Sequence, residues 1–184
     1  MFYNLIASTE ESTVVSEYVK EPRPEYGTYQ SEAELETALL RLLQQEGYTY
    51  LDLHSEAELI ENLRAQLASL NDYAFSDTEW DWFFQNCIAP AADGIVEKTR
   101  RIQTDEIQNL RCDDGTTKNI KLLDKTQPQR NRLQVLHQYA VPGGAGEGAA
   151  AHANRYDVTI LVNGLPLVHI ELKRRGVELR QAFN

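Results

Sequence analysis

An α/β fold, with strands flanked by helices and a helical layer toward the N-terminal end, is what the sequence predicts, and three observations carry it. Three segments in the first 96 residues open with Ser-x-x-Glu and continue with apolar residues at helical spacing. From residue 107 onward the pattern changes to short apolar runs broken by Asp-Gly and Asn-Gly. The chain has 184 residues, 42% of them apolar, enough for a single domain with its own core. The helical part is expected over about 1–96 and the sheet over about 97–184.

The elements follow in order. Ser31 with Glu34 forms a capping box that starts a helix, and Gly47 ends it. Ser55 with Glu58 opens a second helix carrying Leu59, Ile60, Leu63, Leu67 and Leu70. Ser76 with Glu79 opens a third, with Trp80, Phe83, Phe84 and Cys87 before Pro90 stops it. Trp80, Trp82, Phe83 and Phe84 sit in an acidic amphipathic helix, which reads as packing rather than base stacking. Segments 107–112 and 119–123 flank Asp113-Asp114-Gly115 as a hairpin, and 132–141 reads as one long strand. The glycine-rich run 142–154 has no Gly-Lys-Ser/Thr and opens no helix, so it reads as a loop and not as a phosphate cradle.

The informative region is 155–173, RYDVTILVNGLPLVHIELK. Side chains two apart on a strand share a face, so Leu167, His169, Glu171 and Lys173 lie together and Val168, Ile170 and Leu172 lie opposite them. A plain two-residue turn at Asn163-Gly164 would pair Asp157 with Ile170 and put the aspartate on the apolar face. The expected register is therefore odd, through a three-residue loop or a nearby bulge. It pairs Asp157 with Glu171 and leaves Val158, Ile160, Val162, Val168, Ile170 and Leu172 together in the core. Two carboxylates about 5 Å apart repel by roughly 3 kcal/mol at an effective dielectric near 20, so a positive charge should accompany them. Lys173 supplies part of it. A hard divalent cation, Mg²⁺, would take the carboxylates of Asp157 and Glu171 and the backbone carbonyl of Leu172. Against this stands the plain reading of a half-exposed hairpin with a cross-strand ion pair worth about 0.2 to 1 kcal/mol.

The run 155–173 resembles the nuclease core of the R (restriction) subunit of type I restriction-modification enzymes, where an Arg-x-Asp strand leads through Val-Asn-Gly-Leu-Pro-Leu to a strand ending Glu-Leu-Lys. Segment 31–48, SEAELETALLRLLQQEGY, is similar to the N-terminal helix of that family. The two stretches cover 37 of the 184 residues. The resemblance implies a restriction-endonuclease-like PD-(D/E)xK core, a mixed central sheet flanked by helices. Within it, Asp157 and Glu171 are metal ligands and Lys173 the catalytic lysine. Tyr156 stands where the motif name has proline, a position that touches no metal. A Gln-x-x-x-Tyr element on a following helix is often part of such sites, and Gln181 either begins it or merely precedes it.

Helical arithmetic adds a third carboxylate. Glu36 lies about 100° around the helix from Leu35, inside the apolar arc between Leu43 and Leu40, where a carboxylate needs a partner or a polar cleft. The family has an acidic residue on this helix that approaches the metal site, which makes Glu36 the fourth candidate. The implied chemistry is Mg²⁺-dependent hydrolysis of DNA phosphodiester bonds. Lys173 acts there electrostatically, because Glu171 beside it opposes the depressed pKa that a general base would need.

Net charge is −10, but it is unevenly spread. Residues 1–96 hold 4 basic and 18 acidic groups, and residues 97–184 hold 14 basic and 10 acidic. Arg174 and Arg175 directly follow Lys173 and are candidate DNA contacts; Lys98, Arg100 and Arg101 form a second small cluster. So small an excess predicts weak nonspecific binding of duplex DNA. Cys87 and Cys112 lack metal or CxxC spacing and read as reduced and packed, while His54, His137, His152 and His169 show no ligand spacing. No basic leader or membrane-length apolar stretch occurs, which suits a cytoplasmic protein. No Walker A motif occurs either. By resemblance, ATP is used by motor domains outside this chain, the ending 177–184 is a helix cut short, and the partners are duplex DNA and the modification and specificity subunits. A second reading makes the chain a noncatalytic module whose acidic helical layer docks those subunits.

Overall fold

A computed structural model describes residues 2–8, 14–19, 31–141 and 154–173. The chain divides into two units, 1–30 and 31–184. The first contains an antiparallel hairpin, β1 (Phe2–Ser8) with β2 (Val14–Val19), whose register shifts between Leu5 and Ala7. The expected helical layer therefore does not begin at residue 1. Val14, Val15, Tyr18 and Val19 are strand-forming types, and this signal was legible.

The second unit opens with α1 (Glu32–Gln45). Its capping box is as expected: the Ser31 N–H donates to Glu34 Oε2 at 2.8 Å and the Glu34 N–H to Ser31 Oγ at 3.3 Å. Gly47, at φ +91°, ends the helix. A short strand, β3 (Thr49–Leu51), intervenes before α2 (Glu56–Asn71), which the Ser55/Glu58 box starts and which buries Leu63, Leu67 and Leu70. The third box, Ser76/Glu79, starts α3 (Asp77–Phe83). A π-helical turn, Phe84–Ile88, closes it before Pro90. Sequence reading missed β3 and α4 (Ile95–Thr104), the latter without a fully buried residue.

The hairpin β4 (Ile107–Arg111) and β5 (Thr117–Lys121) pairs as predicted around Gly115, at φ +83°. The predicted long strand is instead broken. It is β6 (Leu133–His137) followed, after Gln138 at φ +52°, by β7 (Ala140–Val141), which pairs with β8 (Asn154–Arg155). The main sheet has the order β10-β9-β6-β3, with β9 at Val158–Val162 and β10 at Leu165–Ile170. β3 is parallel to β6 and the other pairs are antiparallel, so the sheet is mixed. The larger core cluster joins Leu63 and Leu67 of α2, Phe75, Trp80, Phe83, Leu110, Ile120, Leu122 and Leu165. Trp80 and Phe83 thus pack as expected, while Trp82 remains exposed.

The odd register of the last hairpin is present and comes from a bulge. Asn163 and Gly164, at φ +51° and +83°, make a two-residue turn that pairs Val162 with Leu165. The ladder then shifts between Pro166 and Val168, so that Ile160 faces Val168 and Val158 faces Ile170. Proline has no N–H for the ladder and is tolerated on an edge strand beside such a bulge. The pairing ends at Ile170 and Val158, and just past it the Asp157 side chain meets the Leu172 N–H.

The apolar face differs from expectation. Val168 is 45% exposed, because β10 is an edge strand, whereas the central β9 buries Val158, Thr159 and Leu161 on both of its faces. Leu161 packs with Leu136 and Tyr139, and with Leu51, Leu53 and Leu59 beside them.

Asn163 and Gly164 do more than turn the chain. The Asn163 side chain is fully buried; it accepts from the Arg132 N–H at 2.8 Å and donates to the Leu122 carbonyl at 3.0 Å and to Asn131 Oδ1 at 2.8 Å. A Cβ on Gly164 would lie 2.6 Å from Leu63 Cα. The turn is therefore pressed onto α2 and locks the hairpin beneath it.

Candidate nuclease site

The site is assembled at the end of the sheet where β6 stops, β9 begins and β10 runs out. Asp157 stands just ahead of β9, and its Oδ2 accepts the backbone N–H of Leu172 at 2.6 Å. This one bond ties the two chain segments that carry the candidate residues. Glu171 and Lys173, just past the end of β10, are paired, with Nζ 2.5 Å from Oε1. Both are partly buried. The bond to Glu171, reinforced by the charges of Glu171, Asp157 and Glu32, holds the Lys173 pKa above its ordinary value, and desolvation opposes this only in part. Lys173 is a cation at neutral pH.

The first turn of α1 carries Glu32, whose charge also helps to hold the Lys173 pKa up. One turn further along α1 is Glu36, only 6% exposed. Its expected need for partners is met twice, by His137 Nε2 at 2.7 Å and Gln138 Nε2 at 2.8 Å, both on Oε2. A carboxylate only accepts, so the imidazole Nε2 carries the hydrogen. Gln138 also reaches Asp157, its backbone N–H donating to the Asp157 carbonyl at 2.9 Å. Sequence reading did not single out His137 or Gln138. Adjacent residues at a strand end carry no spacing signal, and the link to Glu36 spans about a hundred residues of chain.

Tyr156, in the motif's proline position, stacks on the ring of His169 with centroids 4.0 Å apart. His169 in turn has its Nδ1 3.0 Å from Thr159 Oγ1, and partial desolvation of the ring pushes its pKa down although the residue as a whole is exposed on the edge strand. A cleft of about 150 Å³ lined by Leu51, Asp52, His54, His137, Gln138 and Tyr139 opens at the C-terminal ends of the parallel pair β3 and β6. Of the second basic cluster, Arg101 is engaged by Asp93. Arg174, Arg175 and Gln181 lie outside the described residues, as does the predicted loop 142–154 except for Asn154, which opens β8. Cys87 and Cys112 are both free thiols, the first buried.

Among the described residues, no group of three or more His, Cys, Asp or Glu side chains is gathered for a metal ion. The donor chemistry nonetheless fits Mg²⁺, which is often bound through one or two carboxylates and completes its shell with water and substrate phosphate. Asp157 Oδ1 and Glu171 Oε2 receive no hydrogen bond from a described residue.

The described residues form a mixed α/β domain with a mixed sheet, and comparison with known proteins gives the family. The chain belongs to the family described as type I restriction enzyme R protein N terminus, whose model matches residues 29–184. The match begins two residues before the second unit. The chain is 47% identical over 158 residues to the type I restriction enzyme EcoprrI endonuclease subunit of Escherichia coli, covering 85% of this chain and 48% of that protein. It is 35% identical over 157 residues to the SsaAORF53P endonuclease subunit of Staphylococcus saprophyticus and 34% to the SauMSSORF170P endonuclease subunit of Staphylococcus aureus. Each covers 85% of this chain and 16% of the relative. The chain thus spans about half of the first relative's length and a smaller share of the others.

Proposed function

We propose that this chain is the endonuclease part of a type I restriction enzyme R subunit, hydrolysing phosphodiester bonds of double-stranded DNA with Mg²⁺. The observation that carries the reading is the Leu172 N–H to Asp157 bond, which brings Asp157 to the strand end bearing Glu171 and Lys173. Asp157, Glu171 and the Leu172 carbonyl would hold the ion. When bound, it supplies Lewis-acid polarisation of a phosphate oxygen, a more acidic water, and charge compensation at the leaving 3′ oxygen.

The chain's own residues do the rest. Lys173 is kept protonated by Glu171, so it stabilises negative charge on the phosphoryl oxygens or orients the attacking water, and does not take its proton. Asp157 has one oxygen committed to the Leu172 N–H, which fixes the carboxylate plane and turns the other oxygen to the ligand role. Glu36, anchored at Oε2, adds negative charge near these groups. Arg174 and Arg175 contact DNA phosphates.

In the longer protein, cleavage is coupled to ATP-driven translocation by motor domains, and the subunit assembles in the cytoplasm with modification and specificity subunits. No described helix is long and apolar enough to cross a membrane. Assembled enzyme carrying Asp157→Ala or Lys173→Ala is expected to hydrolyse ATP and translocate while failing to cut DNA. Unchanged cutting would leave only a docking role for this domain.

A further inference from the structure

We propose that His137 and Gln138 form a clamp that positions the Glu36 carboxylate against the Asp157 end of the sheet; this rests on the nuclease reading of that site. Side chains of consecutive strand residues point to opposite faces, so His137 and Gln138 could not meet at one atom if β6 continued regularly through 138. Both nevertheless donate to Glu36 Oε2, at 2.7 and 2.8 Å. The break that allows this is the left-handed conformation of Gln138, φ +52°, which is uncommon for a residue with a Cβ. The same residue donates its backbone N–H to the Asp157 carbonyl at 2.9 Å. One strained residue thus links the acid of α1 to the acid just ahead of β9.

The clamp is also one-sided. Both donors load Oε2, and no described residue donates to Oε1, so Glu36 is held firmly yet keeps an acceptor for a substrate-bound water or an ion. Burial raises the need for these donors, since an interior carboxylate without partners is costly. A purely structural network would more economically satisfy both oxygens. Strain concentrated at the residue that joins two acids is the pattern expected of a preorganised site.

The test uses the full R subunit in its assembled enzyme, with variants Gln138→Gly, His137→Ala, His137→Gln and Glu36→Gln. Glycine is at ease at φ +52°, so Gln138→Gly should keep or raise resistance to thermal unfolding while lowering the kcat of cleavage roughly 10- to 100-fold at unchanged KM for DNA. His137→Ala should fall similarly, and His137→Gln, which restores an N–H donor, should recover most of the rate. Glu36→Gln combined with Gln138→Gly should cost little more than Glu36→Gln alone, because the two act through one carboxylate. Should His137→Ala fail to fold, the Gln138→Gly and His137→Gln results decide. Full cutting by Gln138→Gly, parallel losses of rate and stability in it, or simple multiplication of the two losses would overturn the clamp. Asp157→Ala separates the two ideas: if it still cuts DNA the nuclease reading fails, whereas a dead Asp157→Ala beside a fully active Gln138→Gly removes the clamp alone.

Discussion

Lys173 shows most directly how a residue's neighbours assign its chemistry. Its pKa is raised, chiefly by the bond to Glu171, above the ordinary 10.5. The pair's contribution to stability is therefore fully present below that ordinary value and is lost as pH rises through the higher folded one. Single-turnover cleavage across pH 6 to 9 should show no alkaline or acid limb that disappears in Lys173→Arg; such a limb would make Lys173 a base. Lys173→Met is expected to cut roughly 10²- to 10³-fold more slowly with DNA affinity little changed, the loss typical of removing one charge-stabilising donor. Gly164 illustrates the other kind of single-residue constraint. With φ at +83° and a prospective Cβ 2.6 Å from Leu63 Cα, Gly164→Ala should lose about 1 to 3 kcal/mol or more in urea unfolding.

Among the elements, the helices were the most legible because their starts are chemically local. Ser31, Ser55 and Ser76 each exchange bonds with a glutamate three residues on, and all three boxes are present. Ser55→Ala should lower stability by about 1 kcal/mol, measured by denaturant unfolding, with no change in the slope that reports exposed surface. The strands were less legible in proportion to their shortness. β3 has three residues and no periodicity to detect, and the apparent strand 132–141 conceals a break at Gln138 that only its bonds to Asp157 and Glu36 explain. The final hairpin lies between these cases. Its odd register followed from the need to keep Asp157 off the apolar face, but the bulge beside Pro166, with Val168 at the exposed edge, depended on which strand became the rim of the sheet.

For the molecule as a whole, the polar joint between the β5–β6 connection and the last hairpin is as important as the apolar core. Asp124, 2% exposed, accepts from Thr126 Oγ1, Lys121 Nζ and the Gln127 N–H, and these bonds hold its pKa far below the ordinary carboxylate range. A depressed pKa contributes stability above the ordinary 3.8 and loses it as pH falls through the folded value. Asp124→Asn should therefore be less stable than the native chain at pH 7, with the gap narrowing as both are acidified below that value, as read by thermal unfolding. DNA affinity is also a property of the whole. With 14 basic against 10 acidic groups in residues 97–184 and a strongly acidic remainder, the isolated chain should bind a random duplex weakly, with a Kd no tighter than about 10⁻⁶ M at physiological salt, and lose binding further as salt rises.

Taken alone, the order of residues determined the helix starts, the Asn-Gly turn, the acid, acid and lysine set, and the anomaly of Glu36 on an apolar arc, because each is written within a few residues or in one periodicity. Which partners meet Glu36, and why Asn163-Gly164 tolerates no bulk, were decided only in three dimensions. Those contacts join segments 30 to more than 100 residues apart, and a chain carries no local mark of what it will touch at such distances.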